Sequence, residues 1–163
     1  MLKLWIGCIT TAVAISGCSG PGTKTPDYLT VTRPNDLKPL TYKYESGKSA
    51  AWNFQARLGT LAFSCGLEAS SGYRIARMGM NDQAAIYAKS LQDCFKHAAV
   101  DSDQAVEAFK QSNPPKNIFG LGKDLYAKWS AYMSTLGVYS PQNLDAKNSY
   151  EAAQSALLAE EKF

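Results

Sequence analysis

Apolar residues recur along the middle of this chain at helical intervals. Ala51, Phe54, Leu58, Leu61 and Cys65 stand at i, i+3, i+7, i+10 and i+14, and Ala84, Tyr87, Leu91, Cys94 and Ala98 repeat that spacing. Each set is the buried stripe of an amphipathic helix. Between them, Gly79-Met80-Asn81-Asp82 supplies a stop and a cap, with Asn81 or Asp82 opening the second helix. Gly66 and Gly72 are weak points that could divide the first helix in two. Asp101 or Ser102 reads as the cap of a separate short helix running to about Gln111, which Asn113-Pro114-Pro115 ends. Residues 117–122 then form an apolar, Gly-rich loop. A further helix carries Leu125, Trp129, Tyr132, Met133 and Leu136, with Gly137 as its stop. Ser140-Pro141 is a cap followed by Pro at the first helical position. The last helix runs toward Glu160 through Leu144, Ala153, Leu157 and Leu158. The pattern predicts an all-α fold, a bundle of four or five helices.

The chain ahead of the bundle has a different rhythm. Residues 19–27 are rich in Gly, Pro and hydroxyls and read as a solvated tether. Residues 28–32 and 40–44 are β-type. In the second, Leu40, Tyr42 and Tyr44 alternate with Thr41, Lys43 and Glu45, which is strand periodicity. Pro34 and Pro39 bound the connection. A small hairpin and an extended arm lying on the helices both satisfy this pattern. The division expected is residues 1–17 as a leader, 18–47 as tether and arm, and 48–163 as the helical domain.

Cys65 and Cys94 fall 15 residues before and 14 after a turn centred near Met80. In an antiparallel helix hairpin both therefore reach nearly the same height, at about 1.5 Å rise per residue. Each lies on its own helix's apolar stripe, and Gly59, Gly66, Ala69 and Gly72 would permit close approach. A disulfide with Cα atoms about 5.5 Å apart is then available. It would add roughly 3–4 kcal/mol by the chain-entropy argument. Two separately buried thiols, or a bond between molecules, are the alternatives.

The first twenty residues give the chain an address. Lys3 supplies a positive start, an apolar stretch from Leu4 to Ile15 follows, and small residues close it. That is the layout of a secretory signal peptide; the apolar run is too short to span a bilayer. Ile15-Ser16-Gly17-Cys18 resembles the lipobox of bacterial lipoproteins, over roughly the first eighth of the chain. The resemblance implies cleavage before Cys18 and acylation of Cys18, anchoring the protein to a membrane through its lipid. Ser19, where an aspartate is absent, implies the periplasmic face of the outer membrane in a host with two membranes.

Removing 17 leader residues from 163 leaves 146, enough for one domain with a genuine core. Apolar content of 45% and charge of 19% belong to a folded chain. Lys3 is the leader's one charge, so 16 basic and 14 acidic groups remain, interspersed along the mature chain. No basic patch for nucleic acid is visible. Cys8 leaves with the leader and Cys18 is the lipidation site, which leaves Cys65 and Cys94 as the even remainder expected in an oxidising compartment.

The search for catalytic chemistry finds little. His97 is the only histidine, too few for the usual zinc set, and it suits the end of a helix better than a base without a nucleophile. Gly120-Leu121-Gly122-Lys123-Asp124 lacks the first glycine of a phosphate loop and its hydroxyl residue, so no nucleotide is expected. The carboxylates are scattered, without the apolar isolation that makes an acid catalyst. No cofactor and no metal are expected, and no enzymatic activity. Ile118, Phe119 and Leu121 either plug the core or form a contact patch. Tyr42 and Tyr44 face the same choice, since tyrosine gives rigid contact area with a polar tip. Trp52 and Trp129 read as core. These residues suggest a lipid-anchored envelope protein acting non-enzymatically by binding a partner protein. A structural part of an envelope or secretion assembly is the alternative, ahead of an envelope hydrolase.

Overall fold

Ser49 starts the helical part by accepting the Trp52 N–H on its hydroxyl at 3.0 Å, a capping geometry that satisfies one of the free donors of a first turn. In the computed structural model, which describes residues 44–161, four α-helices follow: α1 Ala50–Arg77, α2 Asn81–Gln111, α3 Lys116–Ser134 and α4 Leu144–Glu160. The described residues contain no strand. Tyr42, Cys18, the leader, the tether and most of the expected arm lie outside the described residues.

α1 passes unbroken through Gly66 and Gly72. A Cβ at position 72 would come 2.6 Å from Val138 and 2.7 Å from Tyr87, so the glycine allows close packing whose gain outweighs its weak helix propensity of about 1 kcal/mol. The helix ends where the sequence placed its stop. Gly79 has φ +77°, its N–H bonds Ala76 C=O at 2.9 Å, and Met80 N–H reaches Ile75 C=O at 3.3 Å. This is a Schellman closure, and α2 begins at Asn81 directly after it.

Three expected joints are absent. α2 runs without a break through residues 100–103 to Gln111. The side chains that read as caps are engaged otherwise: Asp101 is held by Arg57 of α1, and the buried Ser102 donates back to Ala99 C=O at 3.1 Å. His97 therefore lies within the helix rather than at its end. Residues 117–122 are the first turns of α3 and not a loop. Ile118, Gly122, Leu125, Trp129 and Tyr132 form one continuous buried stripe, in which Gly122 faces the Phe109 ring so closely that a Cβ would collide. α3 ends at Ser134 with Thr135 as its cap, before Gly137. Finally, α4 is capped by Asn143, whose Oδ1 accepts Ala146 N–H at 3.0 Å, and not by Ser140-Pro141. Val138 is buried against Gly72 and Tyr87, which pins the connection and delays the helix to the next good capping residue.

The helices form two antiparallel hairpins. In the first, Arg57 pairs with Asp101, Cys65 with Cys94, and Gly72 lies against Tyr87. The numbers in these pairs total 158 or 159, which fixes the register. In the second, Tyr132 stacks on Tyr150 and Asn117 bonds Glu160. α1 packs against all three other helices. Leu58, Leu61, Cys65, Leu125 and Leu157 are fully buried at this junction, and Trp129 Nε1 donates to Leu58 C=O at 3.0 Å, tying α3 to α1. Trp129 is thus core as expected, while Trp52 is only half-buried, beside Lys48 Nζ at 5.4 Å.

Candidate functional site

The disulfide anticipated between Cys65 and Cys94 is present, with Cα atoms 5.7 Å apart. One turn away, Glu68 points between α1 and α2. Burial pushes its carboxyl above the usual range, Ser90 opposing this by a hydrogen bond. Its Oε2 is enclosed without a partner among the described residues. Burial, with Glu68 nearby, also raises the Tyr87 hydroxyl.

Two grooves flank α1. The first lies between its amino-terminal half and the carboxy-terminal half of α2, with a volume of about 480 Å3. Its floor is the stacked pair Phe54 and Phe109, ring centres 4.7 Å apart, and Ala105 and Ala108 form a low wall. Arg57 and Asp101 close one end. Arg57 Nε donates to Asp101 Oδ2 at 2.9 Å, Nη2 donates to the other carboxylate oxygen, and Nη2 also meets Gln104 Oε1 at 2.9 Å. The hydrogen bond from Arg57 holds the Asp101 carboxyl below its usual range against the opposing effect of burial, and the charges of Arg57 and His97 add to it. A carboxylate engaged on both oxygens is a poor proton acceptor, so Asp101 is ill suited to act as a base here. Tyr44 also lines this groove.

The second groove, also about 480 Å3, runs between α1 and α4. Gly59 and Gly66 leave the α1 side low, over the stacked rings of Tyr132 and Tyr150. Phe63 and Leu67 rise on its rim, 64% and 46% exposed. Tyr150 is 96% buried, its relative exposure being 4%, and its hydroxyl has no partner among the described residues. Burial pushes that hydroxyl far above the tyrosine range, so it stays protonated and can only exchange hydrogen bonds. Gln142 bonds Tyr132, and Gln154 bonds Gln55, across this cleft.

The residues singled out from the sequence do not assemble into one patch. Ile118 is buried, and Phe119 and Leu121 are half-buried against the core, the packing alternative of the two considered. Tyr44 is exposed. His97 Nε2 is enclosed, without a hydrogen-bond partner among the described residues. Among those residues no three His, Cys, Asp or Glu side chains gather as a metal site, and no helix is long and apolar enough to cross a membrane. Asn53, Arg57 and Phe63 were not anticipated. The pairing of Arg57 with Asp101 was within reach, because both stand at matching distances from the turn, as the cysteines do. Comparison with protein-family models, with curated proteins and with solved structures finds no match to this chain.

Proposed function

We propose that this chain is a lipid-anchored protein of the bacterial cell envelope that acts by occupying a partner protein's surface, without catalysis. The observation that carries the reading is the succession of Ile15-Ser16-Gly17-Cys18 and a domain whose two remaining cysteines are joined. The first is a lipid attachment signal and the second is stable where thiols oxidise. With Ser19 next in line, the anchor is assigned to the periplasmic face of the outer membrane. Confinement to that surface raises the effective concentration against another membrane component, which suits an inhibitor, an immunity or exclusion factor, or an adaptor. The grooves favour contact over chemistry, since their ionisable groups are locked in pairs or held neutral.

The test is fractionation of the full chain in a host with two membranes, beside Cys18→Ala. Wild type is expected in the membrane fraction, processed and carrying labelled palmitate. The variant is expected unprocessed and unlabelled. Identical processing and fractionation of the two would remove the anchor. A crosslinked pull-down from intact envelopes should then recover one stoichiometric partner, and recovery of none would sink the binding role.

A further inference from the structure

The cleft between α1 and α4 repeats one arrangement twice. A Cβ built on Gly59 would stand 3.2 Å from Gln154 Nε2 and 3.6 Å from the Tyr150 hydroxyl. One built on Gly66 would stand 3.0 Å from the Tyr132 hydroxyl and 3.8 Å from Gln142 Nε2. Each glycine thus faces one phenol and one glutamine amide, and the two stations lie seven residues, or about 10 Å, apart along α1. We propose that this cleft binds a short, uncharged, extended peptide segment of a partner protein, with one backbone amide at each station.

The hydrogen-bonding groups select an amide. Gln142 Nε2 donates to the Tyr132 hydroxyl, and Gln154 Nε2 donates to Gln55 Oε1. Neither Gln142 nor Gln154 has a partner for its own Oε1 among the described residues. Tyr132 uses its oxygen as an acceptor, which leaves its O–H proton to donate. The Tyr150 hydroxyl is enclosed and has no partner among those residues. Burial keeps both phenols protonated. Each station therefore offers an O–H donor and a C=O acceptor, the complement of a peptide C=O and N–H. Gln154 and the Tyr150 hydroxyl both flank Gly59, so a shift of this one side chain opens the hydroxyl to an entering carbonyl, which relieves its unmet bond.

Spacing and surroundings make the ligand a peptide. Three residues of extended chain span about 10 Å, the separation of Gly59 and Gly66. Where α1 has no side chain, another backbone can approach it closely. Phe63 and Leu67, exposed on the rim, give apolar contact to the ligand's side chains. Lys147 and Glu151 neutralise each other at 3.0 Å, so a charged ligand would lose hydration with no unpaired countercharge to meet it. The volume, about 480 Å3, is usual for a ligand cleft. The proposal rests on the reading of this chain as a partner-binding protein. It is tested on the purified full chain, so its failure is distinct from an empty pull-down.

Acetyl-Ala-Leu-Ala-Leu-Ala-amide, titrated into the isotope-labelled full chain, is expected to give saturable NMR shifts at the Gly59 and Gly66 amides and the Gln142 and Gln154 side chains. No saturable shift, or shifts centred on the α1–α2 groove, would overturn the site. Tyr150→Phe removes the hydroxyl and keeps the ring. Affinity should fall about three- to tenfold, the effect of one hydrogen bond, with the urea midpoint equal or higher because no bond within the fold is lost. Unchanged affinity would reject the site, and a lowered midpoint would assign the hydroxyl to the fold instead. The same peptide with esters for its central amides should bind more weakly, and N-acetylglucosamine, with a single amide, should shift at most one station. A response to either equal to that of the peptide would sink the two-amide reading.

Discussion

Gly120 and Gly122 stand two positions apart along α3 and should answer the same substitution oppositely. A Cβ at 120 meets nothing within 4 Å, whereas at 122 it enters the Phe109 ring. Gly120→Ala is expected to stabilise by up to about 1 kcal/mol through helix propensity. Gly122→Ala should destabilise by about 1–3 kcal/mol through overpacking. Urea unfolding of the two variants reads both signs. Asp101 gives a pH prediction. Because Arg57 lowers its folded-state pKa below the ordinary 3.8, its stabilising contribution is complete above that value and disappears as pH falls through the depressed one. Asp101→Asn should therefore flatten the acid limb of the stability curve below about pH 3.8 while lowering stability at neutral pH. Equal acid slopes in the two proteins would show that the pair contributes nothing. Neither Gly122 nor Asp101 could be understood from its local sequence. A glycine in an apolar run reads as a breaker, and an Asp before Ser reads as a cap, until the residue opposite is known.

At the scale of elements, the register of the first hairpin was legible because one rule decides it. Two positions equally far from a turn sit side by side, and Cys65 and Cys94 satisfy that rule. The joints were less legible because capping preferences amount to only about 1 kcal/mol each. At residues 100–103 they lose to the Arg57–Asp101 pair and to burial of Ser102, Ala105 and Phe109. At Ser140-Pro141 they lose to a loop held by Val138. The disulfide is the strongest constraint in the hairpin. Replacing both cysteines by alanine should cost about 3–4 kcal/mol for a sequence separation of 29, measured as a lower urea midpoint with helical content retained in water. An unchanged midpoint would mean that α1 and α2 are held by packing alone.

For the molecule as a whole, the all-helical fold class was readable and the grooves were not. Helical periodicity is a local signal. A groove is a relation between helices, and Phe63 on a rim looks no different in sequence from Phe54 on a floor. The junction at α1 and the crosslink at its middle also bear on how this body responds to being pulled. Tension entering from the amino end would first break the grip of Asn53 on Glu45 and peel α1 from its neighbours as far as Cys65. There the covalent bridge diverts the load into α2 at Cys94, and everything between the two sulfurs is spared. About 100 Å of contour, 29 residues at 3.3–3.6 Å each, stays out of reach of stretching until the bridge is reduced. The bridge thereby sets a built-in limit on how far this domain extends under load from its amino end.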